Sequence, residues 1–205
     1  MEPERSWITA TRIAVGVVAA LFVVLLVTGL LLTFRYRPDV SEAYASASGI
    51  SYHASAFGAR RIHRFASFLF VAAVGGLAIS SIGLFLVRRR AVFTAYPVIA
   101  GIAALAASFT GFLLPWDQLS LWAVTVGTTM QGYTHILRGH DVKFVLIGSR
   151  ELGAAELSRW FWVHSVALPV VIVAILVALV FATRRPPVAP ERGAGLHGVA
   201  PRGQY

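Results

Sequence analysis

Two histidines, His63 and His164, stand near the starts of two long apolar segments and have the clearest potential for chemistry in this chain. An ionisable side chain inside a membrane span is costly, so each of them is a candidate functional residue. The chain contains no cysteine, which excludes thiolate ligands, iron–sulfur clusters and covalently attached haem. Two imidazoles at matched depth in an apolar bundle therefore predict one metal centre, a bis-histidine b-type haem.

The elements that would position these histidines are membrane helices. Hydrophobic residues make up 57% of the 205 and charged residues 13%, and the mean hydropathy is +0.72. Four apolar stretches are long enough to cross a bilayer, which takes about 20 residues. We therefore predict an all-α four-helix transmembrane bundle over residues 1–186, with spans at Ile8–Phe34, Ile62–Val87, Val92–Leu114 and Trp160–Thr183.

The segments between the spans differ in kind. Residues 35–59 are polar, whereas Pro115–Arg159 is longer and carries Trp116 and Trp122 among apolar residues. Tryptophan favours the membrane interface, so this connection predicts short amphipathic helices there, with an ordinary packed loop as the alternative. The Pro- and Gly-rich tail, residues 187–205, is predicted to be disordered.

The 18 basic residues give a net charge of +9 and lie mainly at the predicted membrane edges. This placement favours anionic lipid, haem carboxylates or an acidic partner over nucleic acid. Nine fall on each side, so the positive-inside count is a tie. Two considerations break the tie: some arginines on the histidine side would serve haem carboxylates, and the cluster Arg88-Arg89-Arg90 lies in a short loop. Both termini are therefore predicted to be cytoplasmic and the two histidines to lie near the outer face. The predicted location is a prokaryotic inner membrane.

Four ordered motifs carry a family resemblance: TGLLLTFRYRP from Thr28, ARRIHRFAS around His63, TGFLLPWDQLSLWAV from Thr110, and SRWFWVHSVALP around His164. Together they resemble cytochrome b of the bc-type quinol oxidoreductases, most of all the short four-helix cytochrome b6 subunit of cytochrome b6f complexes. The resemblance covers residues 11–185 with compatible spacing. The stretch 132–144 does not follow the family.

The resemblance implies residue roles. His63 and His164 match the ligands of the family's outer haem, and Arg60 and Arg159 match arginines that steady it. A propionate near the membrane surface needs such charge-assisted hydrogen bonds.

Two glycines also match. Gly29 and Gly111 correspond to glycines that let the porphyrin lie against helix backbone. Close helix packing is the alternative use of glycine in membranes.

A quinol pocket wall is implied as well. It would be formed by Pro115, Trp116, Asp117, Gln118 and Trp122. Asp117 could relay a proton from quinol, although capping a helix start is the simpler role for an aspartate after a Pro-Trp turn.

The departures from the family concern its second, inner haem. Histidines for it would lie about 14 residues further along each helix, about 21 Å away. The second span has Leu77 there, and the fourth has Ala178 or Leu179. Val15 and Pro97 stand where that haem's glycines would be. The sequence therefore predicts one haem per chain. In the second span, Ala72, Gly76 and Ser80 instead form a small-residue stripe suited to helix packing.

These observations predict an electron-transfer subunit of a bc-like quinol oxidoreductase, not catalytic alone. The implied partners are a Rieske iron–sulfur protein or c-type cytochrome, and a subunit that completes the quinol pocket, in a dimeric complex. With one haem, a complete Q-cycle through this chain is doubtful. The alternatives are a membrane anchor with a structural haem and a haem-free scaffold.

Overall fold

The structure, a computed structural model, describes residues 2–50, 54–129 and 152–184. The described residues form helices and turns without a strand. The helices are α1 (Glu2–Thr33), α2 (Ala43–Gly49), α3 (Ala54–Arg88), α4 (Val92–Leu113), α5 (Gln118–Thr129) and α6 (Ala154–Arg184). Four of them, α1, α3, α4 and α6, are long and apolar enough to cross a membrane. The predicted all-α four-helix transmembrane bundle is confirmed.

The observed helices extend past the predicted apolar segments where polar residues continue the helix. The span of α3 covers Gly58–Arg88, and that of α6 covers Ala154–Arg184. Hydropathy marks the apolar part of a helix, whereas backbone hydrogen bonding continues into the polar edge. Helices α1, α3 and α6 therefore begin earlier than predicted, whereas α4 matches its predicted ends within one residue. The tail 187–205 and the stretch 132–144 lie outside the described residues.

The four long helices pack in chain order around a ring: α1 against α3, α3 against α4, α4 against α6, and α6 against α1. Successive spans run in opposite directions, so α3 and α6 run the same way. We call the end that holds Glu4, Arg88, Val92 and Arg184 the basal end. The opposite end, which holds Thr33, Gly58, Leu113 and Ala154, is the distal end.

The middle and basal part of the bundle is filled with aliphatic and aromatic side chains. The rings of Phe22 and Phe70 lie 5.9 Å apart between α1 and α3. Leu77 and Leu179 are fully buried in the same cluster, together with Val15. Van der Waals contacts of this kind stabilise the bundle, because helices in a membrane associate through packing and not through a hydrophobic driving force.

The small-residue stripe does not pack as predicted. Ala72 and Gly76 are exposed on α3, and only Ser80 is buried. A Cβ added to Gly76 would meet nothing within 4 Å. Spacing alone placed these residues on one face of α3, but α1 does not close over that face, and a groove lined also by Ala10 and Ala14 remains beside Gly76.

Ionic and capping interactions hold the basal end together. The Nε of Arg88 donates to Glu4 Oε1 at 2.9 Å, and the Arg88 side chain is only 7% exposed. Arg12 donates to the carbonyl of Thr183 at 2.8 Å. That carbonyl lies in the last turn of α6, where no helical partner is available, so a basic side chain is a favourable donor.

Replacing Arg88 by Ala should lower the thermal stability of the detergent-solubilised protein by about 1–3 kcal/mol, because Glu4 loses a charge-assisted bond. Differential scanning fluorimetry provides the measurement. Arg5→Ala, at the same end but exposed, is the matched control and should have little effect. The double variant Glu4→Gln/Arg88→Ala should recover part of the loss, since removing both partners costs less than stranding one. Equal losses for Arg88→Ala and Arg5→Ala would contradict a role for the ion pair.

Candidate metal centre

The structure brings the two predicted ligands together at the distal end. The imidazole centroids of His63, from α3, and His164, from α6, are 6.2 Å apart, and the ring planes meet at 65°. Two imidazole nitrogens bound to one metal at about 2 Å each would leave the ring centroids about 6 Å apart. The separation therefore fits one metal held between the two rings.

Each imidazole has one nitrogen occupied by the neighbouring helix. His63 Nδ1 lies 3.0 Å from Thr28 Oγ1 on α1. His164 Nδ1 lies 3.2 Å from Thr110 Oγ1 and 3.0 Å from the carbonyl of Ala107, both on α4. This pattern leaves Nε2 of each ring for a metal, since metal-bound histidines usually donate the other ring N–H to the protein.

The two predicted glycines lie directly against the imidazoles. A Cβ on Gly111 would come within 2.6 Å of His164 Cε1, a distance that real Cβ atoms do not show. A Cβ on Gly29 would lie 3.2 Å from His63 Cε1, which is tight. Glycine at these positions therefore leaves room for each imidazole to lie against the neighbouring helix. This role differs from the two predicted from the sequence, porphyrin contact and helix packing.

His164 lies in a π-helical turn that sequence reasoning also missed. Residues Val163–Ala167 form this turn, and the amide of Leu168 donates to the carbonyl of Val163, five residues back. Pro169 has no N–H to donate to the carbonyl of Ser165, and its ring crowds that carbonyl, so the helix widens here. Pro169 was the available signal. The widened turn sets the angular position of His164 relative to the rest of α6.

The two arginines lie at the distal end on the helices of the histidines. Arg60, one turn before His63, donates from Nη1 to the carbonyl of Ala47 at 2.7 Å and ties α2 to α3. Arg159 precedes His164 on α6 and is exposed. Helix α2 was not predicted within the polar segment 35–59. It packs through buried Ala43 and Ala47.

The Pro115–Trp122 stretch forms a tight turn followed by α5. Trp116 has a left-handed φ of 51° and its ring lies 6.0 Å from that of Trp160. Asp117 Oδ1 accepts from the amide of Ser120 at 2.8 Å, which caps α5 as the simpler interpretation of this residue predicted. Pro115 is half-buried, and Gln118 and Trp122 are exposed. The structure thus places the five predicted wall residues on one turn and one helix start.

Among the described residues, no group of three or more His, Cys, Asp or Glu side chains is arranged to hold a metal. Two imidazoles supply only two ligands, so the other coordination positions would have to come from the cofactor. A porphyrin would supply four nitrogens, and the two imidazoles fit a haem whose iron takes two histidine ligands.

Tyr36 joins three elements beside this site. Its hydroxyl donates to the carbonyl of Leu114 at 2.5 Å, and its ring stacks on Phe161 with centroids 5.9 Å apart. Burial raises the pKa of the Tyr36 phenol above its ordinary value. Near it, hydrogen bonds from the hydroxyl and amide of Ser41 hold the pKa of Asp39 below its usual value.

Tyr36→Phe should cost about 0.5–1.5 kcal/mol of stability at pH 8, because the Leu114 carbonyl loses its donor. The difference between wild type and variant should shrink above about pH 10. There the unfolded phenol ionises while the buried one resists, so the wild type loses stability as the pH rises. Chemical denaturation in detergent at pH 8 and pH 11 measures both effects. Tyr44→Phe is the control, since Tyr44 is 60% exposed, and an equal response of the two variants would refute the assignment.

Comparisons with known proteins agree with this architecture. The family model described as cytochrome b/b6/petB matches residues 5–185. A solved structure titled "Hyperthermophilic respiratory Complex III" superposes with a TM-score of 0.68 at 20% sequence identity. The alignment covers 82% of this chain and 46% of that one, so this chain spans less than half the length of the solved relative. With the family model matching nearly the whole chain, the protein belongs to the cytochrome b family.

Proposed function

We propose that this chain holds a single non-covalent b-type haem between His63 and His164 and acts as the membrane electron-transfer subunit of a bc-like quinol oxidoreductase. One observation carries the proposal: two imidazoles 6.2 Å apart, each with Nδ1 turned towards a neighbouring helix. A bound haem would supply reversible one-electron chemistry. The bundle itself would supply the two imidazole nitrogens that hold the haem, and apolar side chains around it.

Arg60 and Arg159 are proposed to face the haem carboxylates. Both lie at the distal end, where charged groups can reach the membrane surface. The present bond of Arg60 to the Ala47 carbonyl is one that a propionate could share or replace, since guanidinium has five N–H donors. Gly29 and Gly111 keep the space beside each imidazole free of side chains.

The proposal of one haem rests on the basal half. The positions of a second ligand pair hold Leu77 and Leu179, both fully buried, and Val15 packs in the same cluster. Pro97, the other residue in place of a glycine, is buried in α4. A relay across the membrane would have to cross about 21 Å of this packing. Electrons would therefore enter and leave near the distal end, and a complete Q-cycle would need another path.

A quinol pocket is proposed at the distal end, with Pro115, Trp116, Asp117, Gln118 and Trp122 as one wall. Trp122 is 61% exposed and offers an apolar surface there. The remaining wall would come from a partner subunit, consistent with the chain spanning 46% of its solved relative. A Rieske protein or a c-type cytochrome would exchange electrons with the complex, which we propose to be dimeric and to lie in a prokaryotic inner membrane with both termini cytoplasmic.

A second candidate is a membrane anchor whose haem is structural, or a scaffold without haem. The apolar cluster of the basal half favours it, because the described residues there supply no histidine pair to hold a second haem. An anchor would contain haem that quinol does not reduce. A scaffold would have no need for two imidazoles held in matching hydrogen bonds.

The purified wild-type protein should contain one b haem per chain in a pyridine haemochrome assay. His63→Ala and His164→Ala should each abolish it, since one axial ligand is lost. His197→Ala, in the tail, is the control and should retain full haem. Two haems per chain would overturn the single-site proposal, and none in the wild type would favour the scaffold. Reduction of the haem by added quinol separates the electron-transfer subunit from the anchor.

Gly111→Ala should weaken haem retention about tenfold or more, because the new methyl group displaces His164. Gly101→Ala on the same helix is the control, since a Cβ there meets nothing within 4 Å. Alanine favours helix over glycine by about 1 kcal/mol, so helix propensity predicts no loss in either variant. Gly29→Ala should have an intermediate effect. Retention unchanged in Gly111→Ala would show that the imidazole does not need the glycine.

A further inference from the structure

We propose that Thr28 and Thr110 are positioning residues that fix the tautomer, the ring orientation and the donor strength of the two histidine ligands. The inference rests on the proposed haem function and extends it to two residues outside the ligand set. Its observations are the short contacts of the two hydroxyls with His63 Nδ1 and His164 Nδ1.

The direction of each hydrogen bond follows from counting hydrogens. A threonine hydroxyl has one hydrogen to donate. Thr28 Oγ1 lies 2.7 Å from the carbonyl of Val24, and Thr110 Oγ1 lies 2.8 Å from the carbonyl of Ala106. A carbonyl only accepts, so each hydroxyl donates to its own helix. Towards the imidazole each oxygen is then an acceptor, and Nδ1 must carry the hydrogen.

A backbone carbonyl supports the same assignment. The carbonyl of Ala107 lies 3.0 Å from His164 Nδ1, and an oxygen without hydrogen can only accept from it. On the other side, the carbonyl of Leu25 lies 3.3 Å from Thr28 Oγ1 and faces His63 as an acceptor. Leu25 precedes Thr28 by three residues, as Ala107 precedes Thr110, so α1 and α4 present the same arrangement to the two rings. Both histidines are thus held with the hydrogen on Nδ1 and the Nε2 lone pair available.

Burial makes the hydroxyls hard to replace. Thr28 and Thr110 are each 7% exposed, and both lie within membrane-spanning segments. Water cannot readily take over a lost bond at such a position. The backbone carbonyl would still hold the tautomer in a valine variant, but the ring would lose one of two acceptors and its fixed angle.

The acceptors also bear on ligand strength. A hydrogen bond accepted from Nδ1–H moves electron density into the ring and raises the basicity of Nε2. A stronger donor stabilises ferric more than ferrous iron. Removing the acceptor should therefore raise the haem reduction potential, and the two threonines should act in the same direction.

The experiment compares Thr28→Val, Thr110→Val and the double variant with Thr28→Ser and Thr110→Ser in the haem-loaded, detergent-solubilised chain. Valine keeps the shape and removes the acceptor, whereas serine keeps the hydroxyl. Thr33→Val is the matched control, since Thr33 Oγ1 bonds the carbonyl of Gly29 at 3.0 Å in the same helix but is exposed. The readouts are a potentiometric titration of the b-type absorbance, the low-spin ferric EPR signal and the haem off-rate to an acceptor protein.

Each valine variant should bind haem about tenfold more weakly, at the lower end of the range for such partners because a carbonyl remains. If the tenfold loss falls on ferric haem alone, the potential rises by about 59 mV. The EPR signal should shift or broaden as the ring angle loosens. Serine variants and Thr33→Val should match the wild type.

The possible outcomes separate the inference from the function on which it rests. A wild type that contains haem, with valine variants unchanged in potential, EPR signal and off-rate, would overturn the inference alone. Equal changes in the valine and serine variants would also overturn it, because packing rather than the acceptor would then matter. A wild type without haem would overturn the proposed function instead.

Discussion

The distal end of this bundle depends on where two imidazole N–H groups point. Each ring has two nitrogens, and the hydrogen bond made by one of them sets which nitrogen is left for a metal. Helices α1 and α4 hold the second nitrogen with a threonine hydroxyl and a carbonyl one turn apart. A hydroxyl buried in a membrane span has few alternative partners. This contact therefore sets the orientation of both imidazole rings and the direction in which each ring faces the other.

Glycine and proline make that contact geometrically possible. Gly111 lets His164 approach α4 closely enough for its Nδ1 to reach the Ala107 carbonyl. Pro169 widens α6 by one π-helical turn around His164. Gly111 has no side chain and Pro169 has no backbone N–H. Each residue therefore acts through a group that it lacks and not through an added contact.

The two halves of the bundle have different character. The distal half contains hydrogen-bonded polar side chains, an aromatic cluster around Trp116 and Trp160, and the short helix α2 tied down by Arg60. The basal half contains an apolar cluster that includes buried Leu77 and Leu179, and the ion pair of Arg88 with Glu4 lies at its end. In the proposed function this asymmetry confines redox chemistry to one membrane surface, and packing stabilises the rest.

The sequence by itself determined the number and type of the spans, because long apolar runs have few other stable structures in a membrane. It also contained the cytochrome b motifs and the two candidate ligands, and it has no histidine at Leu77, Ala178 or Leu179, where the family resemblance would place a second pair. It left open whether Ala178 or Leu179 faces the core, since the π-helical turn at His164 shifts the helix register. Only the tertiary structure selected buried Leu179, because that choice depends on which face of α6 meets its neighbours. The same reason explains why spacing failed for Ala72 and Gly76, and why the partners of His63 and His164 became visible only once α1 and α4 lay beside them. Hydropathy and motif are properties of one segment, whereas a hydrogen bond between helices depends on the rotation of both.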